Sequence, residues 1–323
     1  MKDVLPVINT FEKYFQNENI FPENYLMNLY EPCSYFLSNS GKRIRPCLCL
    51  LAAEMLGEVD EEIYKLAIGI ELFHNFTLLH DDIMDDAPLR RGKPTVHEKY
   101  SNSTAILSGD VLSIYAYKYI TDVNSNKLPE ILEVFNKTAI EVCEGQQLDM
   151  DYENEENVSL EEYLEMIRLK TSVLLGCSLK LAAISMDAKK EIKELLYDFG
   201  IFLGMAFQLK DDYLDTFGSK SEIGKLPGGD IRSNKKTALY IISKELSTKE
   251  NVDWNKYWNI EDEELKVNEI INLWKKQNID KILIDMIKEY SDKANDILNQ
   301  LSDKDYNVAK LEQITNYLLH RKK

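Results

Sequence analysis

The sequence predicts an all-α protein, a bundle of helices rather than a sheet-based fold. Apolar residues recur three and four positions apart, as in Ile63, Leu66 and Ile70, which is the period of a helix with one buried face. The chain holds eight prolines, and the stretch 98–225 holds only Pro129, so long helices can run there uninterrupted. No strand patterns alternate with the helical ones, which favours an all-α class over an α/β class.

The periodic segments predict the helices in chain order. The first group forms the bundle: 46–56, 61–86, 104–122, 129–150, 160–183, 190–217 and 234–246. The polar, aperiodic stretch 247–262 predicts a surface loop. Three amphipathic helices then form a cover over the bundle: 263–276, 279–301 and 305–320. No linker divides the chain, so we expect one domain over 1–323, with the functional motifs within 41–236 and the helical cover over 263–323.

Composition narrows the function classes. The 323 residues are 44% hydrophobic, enough for a sizeable core, but no run approaches the roughly 20 apolar residues of a membrane span. The start, "MKDVLPVINTFEKYF", has no signal-peptide core, and the five cysteines form no CxxC pair, so we expect a cytoplasmic protein with reduced thiols. The net charge of −16 argues against nucleic-acid binding.

Two aspartate-rich motifs are the main functional signal. "LLHDDIMDD" at 78–86 returns as "QLKDDYLDT" at 208–216. In each copy the first and last aspartates lie one helical turn apart and share a face. Stacked carboxylates repel each other, so the pattern favours a hard divalent cation such as Mg²⁺ over two solvated acidic faces. Neither copy has the spacing or the glycine of an EF-hand, which argues against a calcium loop.

Cationic residues accompany both acidic clusters and predict a phosphate ligand. Arginine recognises phosphate in a bidentate manner and lysine acts as a point charge. A Walker A or GxGxxG pattern is missing from the sequence, so a nucleotide is disfavoured, and a diphosphate leaving group remains. The cations are Lys42, Arg43 and Arg45 in "GKRIRP", Arg90, Arg91 and Lys93 after the first motif, and Lys225, Arg232, Lys235 and Lys236 after the second.

Together these segments resemble the trans-isoprenyl diphosphate synthases, the polyprenyl synthetase family. The resemblance is carried, in the family's order and over about 40–240, by "GKRIRP", "HNFTLLHDDIMDDAPLRRGKPTVH", "GQQLDMD", "KTS", "FQLKDDYLD" and "GKLPGGDIRSNKKT". It implies an isoprenoid synthase-type helical bundle with a central active-site cavity, usually a homodimer. The implied reaction joins isopentenyl diphosphate to an allylic diphosphate (dimethylallyl, geranyl or farnesyl) and releases diphosphate. The implied cofactor is Mg²⁺, three ions in all, with Mn²⁺ as the other candidate.

The resemblance also implies a role for individual residues. The metal ligands would be Asp81, Asp85 and Asp211. The catalytic set would be Asp81, Asp82, Asp85, Asp211, Asp212, Asp215, Lys170 and Lys225. The allylic diphosphate would contact Arg90, Lys170, Thr171, Gln208, Lys225 and Lys235, with Lys236 as the alternative to Lys235. Isopentenyl diphosphate would contact Lys42, Arg45, His74 and Arg91, and Phe207 would lie near the reacting carbons. The roles of His80 and His97 are left open.

Product length should depend on side chains about one turn before the first motif. These are Phe76 and Thr77, with Phe73 a further turn back. A lone aromatic ring five positions before Asp81 resembles the pattern of one type of geranylgeranyl synthase. We therefore expect a twenty-carbon product, with a fifteen-carbon product as the next candidate.

Three other functions are alternatives to this prediction. A class I terpene synthase shares the ionisation chemistry, but it normally carries one DDxxD motif and a different second motif, whereas this chain has two and also "GKRIRP". A non-catalytic subunit of a heteromeric synthase often loses an aspartate motif, and this chain keeps both. A purely structural helical protein would not need the ordered cations.

Overall fold

The structure is a computed structural model that describes residues 1–39, 41–124, 126–218 and 227–320. It is built almost entirely of helices, so the predicted all-α class is confirmed. The helices are α1 (Leu5–Asn17), α2 (Met27–Leu37), α3 (Ile44–Leu56), α4 (Glu61–Met84), α5 (Val96–Lys99), α6 (Asn102–Ile120), α7 (Leu128–Asn154), α8 (Leu160–Ile167), α9 (Val173–Ser185), α10 (Lys190–Phe217), α11 (Gly229–Arg232), α12 (Ala238–Lys249), α13 (Trp254–Trp258), α14 (Glu263–Lys276), α15 (Ile279–Ser302) and α16 (Ala309–His320). Two short strands, β1 (Leu89–Arg90) and β2 (Lys93–Pro94), pair antiparallel.

The described helices differ from the predicted ones at several points, and the short helices α5 and α11 were not predicted. Helices α1 and α2 precede the first predicted helix. Pro32 lies inside α2, and a proline normally argues against a helix interior. The predicted helix over 160–183 is interrupted by a π-turn, Arg168–Ser172, and continues to Ser185. The predicted loop over 247–262 contains α13. The first residues of the predicted helix over 234–246 precede α12, which begins only at Ala238.

The chain divides into two compact units. One comprises Met1–Phe135 and Ser178–Lys193, and the other comprises Asn136–Cys177 and Glu194–Lys323. The first aspartate motif belongs to the first unit and the second motif to the second unit. The expectation of one domain over 1–323 stays a prediction.

The core of the first unit is organised around α4, which is apolar on almost every face. Asp60 begins this helix by accepting a hydrogen bond from the Ile63 amide, which satisfies one of the free donors of the first turn. Leu66 and Ile70 are fully buried, each contributing about 1.5–3 kcal/mol of transfer free energy. Helix α6 packs directly on α4 at Gly69, where a Cβ atom would lie 2.7 Å from Ile120 Cγ1. The site residues of α4 are therefore carried by a rigid element.

The core of the second unit lies among α8, α10, α12, α14 and the start of α15. Trp274, Ile270 and Leu283 are buried at its centre. Helix α8 begins with a reciprocal capping box between Ser159 and Glu162, which fixes its starting point.

Close helix packing explains the glycines within the predicted helices. A Cβ atom at Gly200 would lie 2.5 Å from the Gly176 Cα atom, so α9 and α10 meet backbone to backbone.

In the described ranges, no helix combines the length and the apolar character that a bilayer crossing requires.

Candidate active site

The first aspartate motif lies at the carboxyl end of α4. Asp85 is the C-cap, and its amide donates to the Asp81 carbonyl over 2.8 Å. The end of a helix carries partial negative charge, so carboxylates there need a cation nearby. Asp81 is half-buried and Asp85 is exposed, which leaves both carboxylates within reach of a ligand.

Asp82 is the buried member of the motif, with 1% of its surface exposed. Its Oδ1 accepts a hydrogen bond from Arg90 Nε at 2.7 Å. Its Oδ2 is buried and accepts no hydrogen bond from the described part of the chain. Burial raises the pKa of Asp82, and the charge of Arg90 opposes that shift. Asp82 therefore holds Arg90 beside the motif, as a phosphate-binding arginine would require.

The donor set of this motif fits Mg²⁺. Mg²⁺ takes one or two carboxylates and completes its shell with water and substrate phosphate. In the described residues, the metal-capable group whose ligand atoms all lie within 4.8 Å of one another is Asp86, His97 and Glu98, a group the sequence did not single out. Asp81 and Asp85 offer two carboxylates one helical turn apart, a donor set that water and a diphosphate can complete.

A set of cationic side chains lies at the junction of α3 and α4 in the same unit. Arg45 Nη1 lies 3.0 Å from His74 Nε2. Burial first, and then the charges of Arg45 and Arg91, hold the pKa of His74 well below its usual range. His74 is therefore neutral and accepts this hydrogen bond through Nε2.

Arg45 has donor capacity left over. Its Nε is buried and has no hydrogen-bond partner in the described part of the chain. Burial lowers the pKa of Arg45 to about 10, against the opposing charge of Glu71, so the guanidinium stays charged at neutral pH. A buried, charged donor of this kind suits an anionic ligand.

Arg91 and Gly41 complete the set. Arg91 has a positive φ of 53°, and its Nη1 donates to the Asn39 carbonyl over 2.7 Å. A Cβ atom at position 41 would lie 2.9 Å from this guanidinium, so the glycine of "GKRIRP" makes room for Arg91. Lys42 is exposed beside it. The structure thus brings Arg45, His74 and Arg91 together, and their contact with isopentenyl diphosphate stays a prediction.

Arg43 differs from the other cations of "GKRIRP". Its guanidinium is 2.9 Å from Glu12 Oε2 and 2.6 Å from Glu71 Oε1, and only 3% of the residue is exposed. It is committed to the protein and not to a ligand.

The residues predicted to limit product length lie on α4. The Phe76 ring lies 5.5 Å from the Phe73 ring and 4.9 Å from the His80 ring, centroid to centroid. Phe73 in turn packs on Phe135 at 5.2 Å. Thr77 Oγ1 donates to the His74 carbonyl over 2.8 Å. Phe76 is therefore a half-buried ring that is supported by Phe73 and by His80.

The second aspartate motif lies near the end of α10. Asp212 is buried, with 4% exposed. It accepts hydrogen bonds from Tyr163 Oη and from Gln208 Nε2, the latter at 3.2 Å. Burial, and then the charge of Asp230, raise the pKa of Asp212 to about 7, while these two hydrogen bonds oppose the rise. Bound cations would stabilise its ionised form.

Asp211 and Asp215 differ in their surroundings. Asp215 is buried, and its Oδ2 accepts from the Asp230 amide over 2.8 Å. Its carbonyl accepts from the Gly228 amide over 2.6 Å, so Asp215 fixes the start of α11. Asp211 is only half-buried, which leaves its carboxylate within reach of a metal ion.

Lys170 and Thr171 lie in the π-turn Arg168–Ser172. Such turns often occur at functional sites because they redirect side chains out of the helical pattern. Lys170 Nζ lies 2.6 Å from Asp149 Oδ2. Thr171 Oγ1 donates to Gln208 Oε1 over 3.2 Å, and Gln208 donates onward to Asp212. The turn and the second motif are thus one hydrogen-bonded network.

A cavity of about 140 Å³ lies in the second unit beside this network. It brings together five predicted residues: Lys170, Thr171, Gln208, Asp212 and Lys235. It is also lined by carboxyl and phenol groups to which the sequence analysis gave no role: Asp149, Tyr152, Glu153, Tyr163 and Asp230. Asp149 stood within "GQQLDMD", so a signal for it existed. Tyr163 had none, because a single tyrosine in a helix pattern predicts only packing.

Lys235 and Lys236 both line this cavity. Lys236 Nζ donates to the carbonyls of Tyr152, Glu153 and Glu155, so it caps the end of α7. Lys235 stays the predicted ligand contact. Phe207 is half-buried on α10, and Lys225 lies outside the described residues.

Comparisons with known proteins agree with this geometry. The family profile described as Polyprenyl synthetase matches residues 27–274. A geranylgeranyl diphosphate synthase of Methanosarcina mazei is 34% identical over 94% of this chain and 93% of its own length. A geranylfarnesyl diphosphate synthase of Natronomonas pharaonis is 40% identical over 67% of this chain and 69% of its own. A crystal structure of a geranylgeranyl pyrophosphate synthase superposes with a TM-score of 0.90 at 42% identity, covering 99% of each chain. With its two DDxxD motifs and its paired cations, this chain belongs to the polyprenyl synthetase family.

Proposed function

We propose that the protein is a Mg²⁺-dependent trans-prenyltransferase that joins isopentenyl diphosphate to an allylic diphosphate and makes geranylgeranyl diphosphate. The observation that carries the proposal is that each compact unit holds one aspartate motif with cations beside it. Asp82 holds Arg90 in one unit, and Asp212 shares a cavity with Lys170 and Lys235 in the other. The first unit also holds a separate cationic set, Arg45 and Arg91 with His74, which offers a second diphosphate its own site.

The residues divide the chemistry between them. Asp81, Asp85 and Asp211 would hold Mg²⁺, which supplies Lewis acidity to the diphosphate oxygens when bound. Arg90, Lys170 and Lys235 neutralise the charge that develops as the allylic carbon–oxygen bond breaks and its electron pair leaves with the diphosphate. The double bond of isopentenyl diphosphate then attacks the allylic carbon. The proton lost from the adjacent carbon goes to the released diphosphate.

The second substrate is held by the other cationic set. Arg45, Arg91 and Lys42 bind the diphosphate of isopentenyl diphosphate, and neutral His74 keeps Arg45 oriented. Holding both substrates makes the attack effectively intramolecular. Phe207 and Phe76 offer aromatic faces to the cationic carbon chain, which needs a dry surrounding.

The proposed product has twenty carbons. The support is the single half-buried ring of Phe76, which is backed by Phe73 and therefore cannot swing aside freely. The relatives named above are synthases of geranylgeranyl and geranylfarnesyl diphosphate, so a longer product is the nearest competitor among relatives and farnesyl diphosphate is the shorter one.

We propose that the working form is a homodimer. Ile106, Leu107 and Ile114 of α6 are 46%, 56% and 66% exposed, and their spacing places them on one side of the helix. Monomeric proteins rarely expose a contiguous apolar patch of that kind. Light scattering after size exclusion should give twice the chain mass, and Ile114→Glu should give the mass of one chain. A wild-type mass of one chain would refute the dimer.

We also propose that the protein works in the cytoplasm. Four of the five cysteines, Cys33, Cys47, Cys49 and Cys177, are buried, as structural cysteine thiols usually are. Thiols of this kind are typical of a reducing compartment.

The experiment that tests the function uses purified protein, Mg²⁺ and labelled isopentenyl diphosphate with dimethylallyl, geranyl or farnesyl diphosphate. The products are dephosphorylated and sized. We expect a discrete twenty-carbon alcohol that is lost with EDTA and in Asp81→Asn. The exposed helical aspartate variant Asp285→Asn is the control and should keep wild-type activity. A cyclised hydrocarbon would instead identify a terpene synthase, and no condensation with any primer would identify a non-catalytic subunit.

The length of the product is tested separately by Phe76→Ala. Removing the ring should shift the product above twenty carbons. Phe21→Ala is the control, because Phe21 lies in the same unit and packs on Tyr30 and Tyr115. An unchanged product length in Phe76→Ala would contradict the assignment of Phe76.

A further inference from the structure

Arg43 has a backbone conformation that an arginine rarely adopts. It stands at the N-cap of α3 with φ 50° and ψ 38°, in the left-handed region that costs free energy for any residue with a Cβ atom. Such a conformation persists only when the surrounding contacts hold it in place, and it is found disproportionately near functional sites. The neighbours of Arg43 should therefore show what holds it.

Its side chain is held on three sides. Nε pairs with Glu12 Oε2 on α1 at 2.9 Å, and Nη1 pairs with Glu71 Oε1 on α4 at 2.6 Å. Nη2 donates to the Leu37 carbonyl at the end of α2 over 3.2 Å. The guanidinium also lies 5.0 Å from the Phe15 ring centroid. One buried cation thus joins α1, α2 and α4 to the first residue before α3. We call Arg43, Glu12 and Glu71 the Arg43 clamp.

The clamp shares its supporting elements with the cationic set for isopentenyl diphosphate. Arg43 lies between Lys42 and Arg45 in the chain. Glu71 lies three residues, almost one helical turn, before His74 on α4. His74 contacts Arg45 at 3.0 Å. Glu71 is itself oriented by Asn75 Nδ2, which donates to Glu71 Oε1 over 3.0 Å. A shift of Arg43 would therefore move both neighbours that the proposed function assigns to the substrate.

The charge of Glu71 also reaches the other arginines. It raises the pKa of Arg45 and of Arg91, against burial, which lowers both. Glu71 is 3% exposed, so it has no route to solvent or to a bulky ligand.

We propose that the Arg43 clamp is a positioning device that fixes Lys42 and Arg45 at the isopentenyl diphosphate site, with Glu71 acting through Arg43 and not through substrate. The inference rests on the proposed function. It differs from a purely electrostatic role for Glu71, because removing a negative charge near an anion site would strengthen the binding of a diphosphate. Loss of the clamp weakens that binding, so the two roles predict opposite changes.

The test is steady-state kinetics on Glu71→Ala, with each substrate varied in turn. The KM for isopentenyl diphosphate should rise by about tenfold to a hundredfold, the loss that follows from a misplacement near 1 Å, while the KM for the allylic diphosphate stays within about twofold, the size of ordinary context effects. Glu71→Gln keeps an oxygen that can accept from both Arg43 and Asn75, so it should recover most of the affinity. A KM for isopentenyl diphosphate that falls or stays constant in Glu71→Ala would overturn the clamp.

A control separates positioning from lost stability. Lys127→Met removes another ion pair of the same unit, in which half-buried Lys127 lies 2.9 Å from exposed Asp187, and should lower the melting temperature without changing either KM. If Glu71→Ala raises both KM values alike, the clamp has only a structural role. If Glu71→Ala does not fold, Glu12→Gln replaces it. That variant should raise the KM for isopentenyl diphosphate by a smaller factor, and no rise would refute the proposal.

The activity of the wild-type protein separates a failure of the proposed function from a failure of the clamp. If it condenses no substrate pair, the proposed function fails. If it condenses them and the clamp variants keep a normal KM, only the clamp fails.

Discussion

Gly145 allows α7 to lie against the π-turn that carries Lys170, and replacing it with alanine tests that contact. A Cβ atom at position 145 would lie 2.7 Å from Lys170 Cα and 2.8 Å from Leu169 C, and closer still to the Lys170 amide nitrogen. Ordinary van der Waals contact begins at 3.4 Å, so the two backbones must separate by about 1 Å.

The sign of the effect discriminates between two physical terms. Helix propensity alone predicts that Gly145→Ala stabilises the protein by about 0.5–1 kcal/mol. Overpacking against backbone costs about 1–3 kcal/mol, and the contacted atoms cannot rotate away. We therefore expect a net loss of about 1 kcal/mol in the free energy of unfolding.

The same displacement should also lower the rate of the reaction. Lys170 would move away from Asp149, now 2.6 Å distant, and a misplacement of about 1 Å can cost up to about a hundredfold in rate. Urea unfolding and steady-state kinetics on purified Gly145→Ala measure both effects. Gly57→Ala is the matched control, because its Cβ atom would meet only the flexible end of Met186. Equal or greater stability of Gly145→Ala with unchanged kcat would refute the reasoning.

Three further predictions concern single side chains. The pKa of His74 is depressed in the folded protein, whereas the imidazole of the unfolded chain takes up a proton below about pH 6.5. The free energy of unfolding of the wild type should therefore fall as the pH falls from about 7.5 to 5.5. In urea titrations His74→Gln should lose less over that range, and parallel profiles would contradict the shift. Tyr163→Phe removes a hydrogen bond to Asp212 and should raise the Mg²⁺ concentration for half-maximal rate severalfold with little change in melting temperature; an unchanged Mg²⁺ dependence would argue against this role. Lys236→Met frees the carbonyls at the end of α7 and should lower the free energy of unfolding by about 1–2 kcal/mol; in thermal unfolding, wild-type stability would contradict the cap.

The helical fold was predictable because its signal is local. The apolar period of the segment over 190–217 alone predicted α10 with the bounds that the structure has. The signal failed where tertiary contacts override local preference. Pro32 lies within α2, and the π-turn at Arg168–Ser172 interrupts a periodic segment that reads as one continuous helix.

The residue types of the candidate site were predictable from the sequence, but the side chains with which each residue pairs were not. Aspartates one turn apart and arginines beside them indicate a metal and a diphosphate wherever they occur. Which cations form ion pairs within the protein, and which can contact a ligand, depends on residues that are distant in the chain. Arg43 and Arg45 look equivalent in "GKRIRP", yet Arg43 pairs with Glu12 and Glu71, whereas Arg45 keeps a buried donor without a partner in the described residues.

The sequence by itself therefore determined the all-α class, the family and the residue types that carry the reaction, because periodicity and motif spacing are properties of neighbouring residues. Only the tertiary structure decided that Lys236 caps a helix, that Tyr163 supports Asp212, and that Gly145 makes room for Lys170. These contacts join residues that are 25 to 84 positions apart in the chain, and they exist only once the helices have packed.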